Sequence, residues 1–498
     1  MKIKQFLLYC CIFAFLFCSC DIQIGGGSDS GTINNPTDVP SRKFWAQNLV
    51  TGNFYQVDAD LLAQSKNCSV WADKEAGVSI ATANSMAKAY EDNILPKMLD
   101  TFGIQVKDQN GVVWNTMELA DYIGDEDGKL CILLLDIRDG YSPGTSWVAG
   151  YFWDGNFYDT NTYRTSNECD MIYIDTYPSK PGTADSNATF AHEMQHMMNS
   201  VTSRLIRHDD KYFYPMDLWI DEGLSTTAEW LIMGSHPIDR WLWYNQDPSG
   251  LIRKGNNFFV WGNRESEDQE ALMDDYATTY LFFQWLRLQA GSKDIYYDII
   301  TSGNYDYKAV TSAANKYMTG MNYDDWGTLL KNWLAANYIN APSGPYGYKN
   351  DSVLKNVKAN TAPDGVTSVY LAPGEGVYSI TDDYQLPGSK QSVRYAGLDK
   401  SGNALSDTKT FSGGAMLTYN ANTNNIKGGL ESGTTTGVAA SYTEADASGR
   451  SVAGASFSGS YAIGPWDMLR RNGLERPSSG NEFSFELTKP IKGIKILE

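Results

Sequence analysis

The segment from Phe190 to Met198 constrains the fold most, because it combines a helical apolar pattern with two histidines on the other side. Apolar residues recur at helical spacing and form one stripe, made by Phe190, Met194, Met197, Met198, Val201 and Leu205. At about 100° per residue, His192 and His196 project from the opposite side of that helix. We predict an amphipathic helix with its N-cap at Asp185 or Ser186 and its methionine side buried.

The two histidines enclose a glutamate in the pattern H-E-x-x-H, at His192, Glu193 and His196. Imidazoles four residues apart on a helix can bind one metal ion, and the glutamate between them can take a proton from a metal-bound water. Zn²⁺ suits this arrangement because it lowers the pKa of that water to about 7 and polarises a carbonyl. Since the chain has only four histidines, the chance odds of the pattern are roughly one in a thousand.

A catalytic zinc site needs a third protein ligand and an open position. A histidine six residues after His196 would give the metzincin pattern, but Thr202 stands there and excludes it. Glu222 lies 26 positions after His196, which leaves room for one helix to end and an antiparallel helix to return. We favour Glu222 over the alternatives Asp221 and His208, although a carboxylate at a helix start can also be simply solvated.

Three polar residues share the face of Glu222 and could orient the zinc ligands through hydrogen bonds: Ser225, Thr226 and Glu229.

The sequence His192-Glu193-x-x-His196 followed by Trp219-x-x-Glu222-Gly223 resembles the gluzincin metallopeptidases, and the wider pattern resembles the hyicolysin-type neutral metallopeptidases. The similarity covers roughly residues 65–290. Outside the motif it rests on Asp127-Gly128-Lys129 before Ile132–Ile137, on Ala149–Phe152, and on Ser166–Glu168 before Met171–Asp175. It implies His192, His196 and Glu222 as zinc ligands and Glu193 as the general base.

Two further expectations follow from that resemblance. Related aminopeptidases carry G-x-M-E-N before the zinc motif, and its absence here favours an endopeptidase. Related enzymes stabilise the developing oxyanion with a Tyr or His beyond the glutamate ligand. Tyr276 resembles that tyrosine by position, Tyr280 lies one turn later, and both could instead be packing residues.

The fold prediction is α+β. Short apolar runs at Cys68–Trp71, Leu130–Leu135 and Met171–Ile174 predict strands, and Ser79–Phe102 has helical spacing interrupted by Pro96. Beyond residue 340 the chain becomes rich in Gly, Ser and Thr with short alternating runs, which predicts a separate β domain. We predict a gluzincin-like protein with an N-terminal mixed α/β sheet subdomain at 42–180, a mainly helical zinc-binding subdomain at 181–344, and a β-sandwich-like domain at 350–498.

The N-terminus has the pattern of an export signal. Lys2 and Lys4 precede a short apolar run, and Ser19 precedes Cys20, as in a bacterial lipoprotein signal whose cysteine receives lipid. We predict a lipoprotein signal peptide at 1–20 and a flexible linker at 21–41, hence an exported protein tethered to a membrane through lipid at the periplasmic or outer surface. An ordinary cleaved signal without lipid is the alternative.

Composition limits the partners. Forty Lys+Arg against 59 Asp+Glu give a net charge of −19, which disfavours nucleic acid. Asp125 and Asp127 suggest a Ca²⁺ loop but lack the spacing of an EF-hand, so a solvated turn is the favoured interpretation. The wide spacing of Cys68, Cys131 and Cys169 favours core packing, with one disulfide as the alternative.

The sequence therefore predicts an exported zinc endopeptidase acting on protein or peptide substrates. One alternative is a surface binding or adhesion lipoprotein whose metalloprotease-like core is only structural. Another is a metal-dependent hydrolase acting on something other than peptides.

Overall fold

The structure is a computed structural model. It describes residues 32–36, 38–108, 110–209, 212–255, 258–264, 271–364, 366, 368–381, 383–385, 392–399, 403–405, 410–412, 414–425, 431–434, 485–486 and 495–496. The predicted signal peptide, Cys20 and residues 21–31 of the predicted linker lie outside these residues.

The chain up to residue 175 alternates strands and helices. In order, these are β1 (Ser41–Gln47), β2 (Phe54–Gln64), β3 (Cys68–Asp73), α1 (Ile80–Ala89), α2 (Leu95–Phe102), β4 (Gln105–Lys107), β5 (Val113–Asn115), α3 (Thr116–Ile123), β6 (Leu130–Leu135), β7 (Gly150–Phe152) and β8 (Met171–Asp175). A π-helical turn at Tyr90–Ile94 joins α1 to α2, so the interruption predicted at Pro96 begins slightly earlier.

One six-stranded sheet organises this part, in the order β1-β2-β3-β6-β8-β7. The central strands β3, β6 and β8 are parallel, whereas β1, β2 and β7 pair antiparallel to their neighbours. Every residue of β6 and β8 is buried, as expected for continuous apolar strands covered on both faces. The three-residue strand β7 comes last in this strand order and is therefore an edge of the sheet.

The next part is mostly helical. Its elements are α4 (Ala184–Ile206), β9 (Tyr212–Phe213), α5 (Leu218–Met233), α6 (Ile238–Gln246), α7 (Ile252–Gly255), α8 (Ala271–Ala290), α9 (Asp294–Ile300), α10 (Tyr307–Tyr317) and α11 (Trp326–Ile339). The N-cap predicted for α4 is wrong. Thr183 occupies that position, because its hydroxyl accepts the Ser186 N–H at 3.3 Å, and this places Asp185 in the first turn.

The described residues beyond 344 are mainly strands. They form β10 (Ser368–Leu371), β11 (Gly376–Ile380), β12 (Asp383–Gln385), β13 (Val393–Leu398), β14 (Ala404–Leu405), β15 (Thr410–Ser412), β16 (Ala415–Asn420), β17 (Glu431–Thr434), β18 (Phe485–Glu486) and β19 (Lys495–Ile496). β11, β16, β13 and β14 make a four-stranded sheet, while β18 pairs with β9 and β19 with β4.

The β-rich part packs directly on the helical part. The Tyr378 hydroxyl donates to the Leu334 carbonyl at 2.8 Å, and Tyr378, Leu417 and Tyr419 belong to the same apolar core as α11. The protein is thus a mixed α+β structure. The domain boundaries given above stay a prediction.

Two smaller points concern the cysteines and the membrane. Cys68, Cys131 and Cys169 are free and buried, in agreement with core packing. Among the described residues, no helix combines the length and apolar character that a membrane span requires.

Candidate metal centre

Helices α4 and α5 pack against each other and bring the H-E-x-x-H motif opposite Glu222. The apolar stripe of α4 is buried as predicted, except that Leu205 is only half-buried. His192 and His196 project from the other side, with ring centroids 4.8 Å apart. The helical periodicity of α4 thus separates its core-packing side from the two histidine side chains that could bind a metal.

The side chains of His192, His196 and Glu222 meet at one point. Glu222 Oε2 lies 3.3 Å from His192 Nε2 and 3.7 Å from His196 Nε2, and one ligand atom from each residue fits within 4.8 Å of the others. Tetrahedral Zn²⁺ with bonds of about 2.0–2.1 Å would separate its ligand atoms by about 3.3 Å. Within the described part of the chain, the buried Glu222 Oε2 has no polar partner other than these two imidazole nitrogens. The three residues therefore fit a metal ion.

The opposite nitrogen of each imidazole is held by a carboxylate. Glu229 Oε1 lies 2.8 Å from His192 Nδ1, and Asp221 Oδ2 lies 2.8 Å from His196 Nδ1. The Ser225 hydroxyl is also 3.1 Å from His196 Nδ1. Such contacts orient the rings and leave both Nε2 atoms directed at the metal position.

The alternative ligands are placed elsewhere. Asp221 contacts the Nδ1 side of His196, away from the point where the Nε2 atoms converge. His208 is exposed, and its Nδ1 lies 3.0 Å from the carbonyl oxygen of Asp209.

The Thr226 hydroxyl donates to the carbonyl of Gly223 within α5. Of the residues expected to orient the ligands, Ser225 and Glu229 contact histidines.

Arg240 on α6 places a positive charge beside Glu229, and the sequence analysis did not identify it. Its Nη2 donates to both oxygens of Glu229, at 3.1 and 3.3 Å, and its Nη1 donates to Asp239 at 2.9 Å. Burial raises the pKa of the Glu229 carboxyl, but the charges of Arg240 and His192 outweigh burial and hold that pKa below its usual value. No sequence signal links Arg240 to the motif, since α6 is a separate helix.

Glu193 points from α4 toward the edge strand β7. The backbone N–H of Phe152 donates to Glu193 Oε2 at 2.9 Å, which fixes the carboxylate. Burial raises the pKa of Glu193, although the neighbouring histidines act in the opposite direction. Gly150 permits this approach of β7, because a Cβ there would lie 2.9 Å from Thr189 Cγ2 and 3.2 Å from Glu193 Cγ.

The histidines carry raised pKa values in the metal-free protein. For His192 burial lowers the pKa, but hydrogen bonds with Glu222 and Glu229 overcome it and raise the pKa to about 10. For His196 burial again lowers the pKa, and the charges of Asp221 and Glu222 raise it to about 9. Metal binding therefore has to displace protons from both rings.

The two candidate tyrosines differ in position. Tyr276 lines the cleft beside the histidines, with the Arg240 guanidinium carbon 5.4 Å from its ring centroid and Trp261 packed edge-on at 4.9 Å. Tyr280 is completely buried, and its hydroxyl is hydrogen-bonded to His236 Nδ1. Of these two tyrosines, Tyr276 alone lines the cleft that contains His192 and His196.

The histidines and Glu193 lie in a cleft of about 630 Å³. One wall comes from β7 and the segment that follows it, including Phe152, Trp153 and Asp154, and another comes from α6 with Arg240 and Trp243. A volume of this size accommodates several residues of an extended chain or a small molecule.

No protein-family model matches the chain. The chain is similar to the neutral metalloprotease ShpI of Staphylococcus hyicus, with 27% identity over 365 residues that cover 71% of this chain and 75% of the relative. This similarity supports a place in a neutral metalloprotease family.

Proposed function

We propose that this protein is an exported, zinc-dependent endopeptidase in which His192, His196 and Glu222 hold the ion. The observation that carries the proposal is the convergence of two imidazole nitrogens on the buried Glu222 Oε2. Two imidazoles and one carboxylate that converge in this way form the usual protein ligand set of a catalytic Zn²⁺. Similarity to a neutral metalloprotease supports peptide bonds as the substrate class.

Zn²⁺ held by these residues would lower the pKa of a bound water to about 7 and polarise the substrate carbonyl. Glu193 acts as the general base: it takes a proton from the attacking water and later gives it to the leaving amine. The Phe152 N–H donates to Glu193 Oε2 at 2.9 Å, and we propose that the other oxygen, Oε1, takes the proton. Burial of Glu193 raises its pKa and favours that transfer.

Tyr276 is the proposed donor to the developing oxyanion. It lines the cleft, and contacts with Arg240 and Trp261 restrict its ring. A restricted hydroxyl stabilises the transition state at little cost in reorganisation. The hydroxyl of Tyr280 is hydrogen-bonded to His236, outside the cleft, which supports the choice of Tyr276.

We further propose that an extended substrate lies along β7. This strand is an edge of the six-stranded sheet and forms a wall of the cleft. A peptide can add to such an edge through main-chain hydrogen bonds, which suits substrates of varied sequence. The backbone N–H of Phe152 in this strand also donates to Glu193 of α4. One strand would therefore position both the substrate backbone and the general base.

Export and lipid attachment at Cys20 are proposed from the sequence pattern alone. Mass spectrometry of the mature N-terminal peptide checks both. A diacylated Cys20 at the new terminus supports the anchor, and an unmodified terminus at another residue contradicts it.

The test of the proposed activity compares the zinc-loaded wild type with Glu193→Gln on a mixture of unfolded proteins, with new termini mapped by mass spectrometry. Internal cuts by the wild type that Glu193→Gln does not make are the expected result. Glu118→Gln is the matched control, because Glu118 is an exposed capping residue of α3. Release of terminal residues alone would contradict an endopeptidase. Zinc binding without cleavage by the wild type would contradict a peptidase.

A further inference from the structure

A second group of carboxylates lies where α3, the loop after it and the start of β8 meet. Asp121 is on α3, Asp125 is in the loop, and Asp170 directly precedes β8. One oxygen from each fits within 4.8 Å of the others. Two oxygens bound to one Ca²⁺ by bonds of about 2.4 Å are at most about 4.8 Å apart, so this spacing suits one ion.

Asp170 distinguishes this group from a cluster of exposed acidic residues, because its carboxylate is buried. Its side chain is buried, at 1% exposure, and its Oδ1 has no hydrogen-bond partner among the described residues. None of the three carboxylates forms an ion pair within that part of the chain. Arg42 is a nearby cation, but its Nη2 donates to the Asn167 carbonyl at 2.7 Å. A buried carboxylate oxygen without a partner is costly, and a bound cation would compensate it.

The backbone around the group is arranged to bring it together. Asp121 Oδ1 accepts the Gly128 N–H at 2.7 Å, which ties the loop back to α3. Gly124 lies against the backbone before β8, where a Cβ would meet Asp170 N at 2.6 Å. Any larger residue at 124 would push the loop away from Asp170. The approach of the loop to Asp170 is thus built into the fold.

We propose that Asp121, Asp125 and Asp170 form a binding site for a hard divalent cation, Ca²⁺. Among the described residues the group contains three carboxylates and no His or Cys, which disfavours Zn²⁺, and an irregular loop suits Ca²⁺ better than the strict octahedron of Mg²⁺. The sequence-based suggestion of a Ca²⁺ loop placed the ligands at Asp125 and Asp127. Asp127 is exposed, and its Oδ1 accepts the Lys129 N–H instead.

The site has a structural consequence for the cleft. Asp170 ends the connection from β7 to β8, and that connection supplies Trp153 and Asp154 to the cleft wall. A cation would fasten the end of this connection to α3. Ca²⁺ would therefore stabilise the fold and protect the β7–β8 connection from cleavage, without contributing to the chemistry.

The test measures Ca²⁺ binding by calorimetry and the melting temperature of full-length protein. All proteins carry Glu193→Gln to prevent self-digestion and are first loaded with one equivalent of Zn²⁺. Ca²⁺ at about 100 times Kd should raise the Tm by about 3 °C. Asp170→Asn and Asp125→Asn should abolish both signals. Asp127→Asn, which removes the same charge from the same loop, should keep them.

Asp170→Asn also has a built-in check of folding. In Ca²⁺-free buffer its Tm should equal or exceed that of the parent, because an unpartnered buried carboxylate is replaced by a neutral group. If that variant fails to fold, Asp125→Asn decides, because Asp125 is exposed. The proposal is overturned by the absence of heat and Tm shift at about 10 mM Ca²⁺, above the range of weak extracellular sites. Retention of binding in Asp125→Asn, or an equal response to Mg²⁺, also overturns it.

Discussion

Glu229→Gln tests whether the carboxylates behind the histidines prepare the metal site. Glu229 is 9% exposed, contacts His192 Nδ1 at 2.8 Å, and is held by Arg240 at 3.1 and 3.3 Å. The amide of glutamine keeps the shape and one acceptor oxygen but loses the negative charge. The substitution therefore removes the charge-assisted part of the contact and leaves the packing in place.

The expected loss is 10–100-fold in zinc affinity, the range found when such supporting carboxylates are changed. This corresponds to about 1.4–2.8 kcal/mol. The measurement is the zinc dissociation constant, obtained by competition with a chelator, together with kcat and KM on one peptide. Activity should return at saturating zinc if positioning is the main defect.

Asp239→Asn is the control. Asp239 Oδ2 accepts a hydrogen bond from Arg240 Nη1 at 2.9 Å. No hydrogen bond of Asp239 within the described part of the chain reaches a histidine. This variant disturbs the same arginine and should leave zinc affinity unchanged. Wild-type affinity in Glu229→Gln, or equal losses in both variants, would refute the argument that Glu229 acts through His192.

Two further predictions concern the same site. Tyr276→Phe should lower kcat about 10²–10³-fold with little change in KM, because a donor to the oxyanion acts mainly in the transition state. Tyr280→Phe, one turn away and bonded to His236, should retain kcat, and equal losses in both variants would remove Tyr276 from the mechanism. Since His192 and His196 have pKa values of about 10 and 9, both are protonated at pH 7.5 in the metal-free protein. Zinc uptake should release about two protons from the histidines there, and zinc affinity should rise with pH up to those values. Calorimetry in buffers of different ionisation heat measures this release, and a value near zero would contradict the raised pKa values.

The metal-free protein has a related pH dependence of stability. Raised pKa values mean that the folded state binds more protons than the unfolded state. The stabilisation from the protonated histidines is therefore complete below pH 6.5 and is lost as pH rises through about 9 to 10. Zn²⁺ replaces those protons, so the loaded protein should lack this decline.

Local patterns were enough to predict several parts of the fold. Strands β3, β6 and β8 follow continuous apolar runs, and α4 follows a 3.6-residue period that also separates its buried side from His192 and His196. These features depend on neighbouring residues, so they are visible without tertiary information. The N-cap of α4 was mistaken because Thr183, Asp185 and Ser186 can all cap a helix, and only the backbone selects one of them.

The choice between similar neighbours needed tertiary structure. Asp221 and Glu222 are adjacent carboxylates on α5, and their directions differ by about 100°. The packing of α5 on α4 directs Glu222 to the Nε2 atoms and Asp221 to the Nδ1 side of His196. Tyr276 and Tyr280 share a face of α8, yet they meet different neighbours.

The sequence by itself indicated the proposed metal-binding pair and the proposed general base, because His192, Glu193 and His196 lie within two turns of one helix. Tertiary structure alone decided which distant groups complete each site. Arg240 reaches Glu229 from another helix. Asp170 reaches Asp121 and Asp125 because β6 and β8 pair in parallel and bring the start of β8 beside the loop before β6. Contacts of this kind depend on chain topology and leave no local pattern in the sequence.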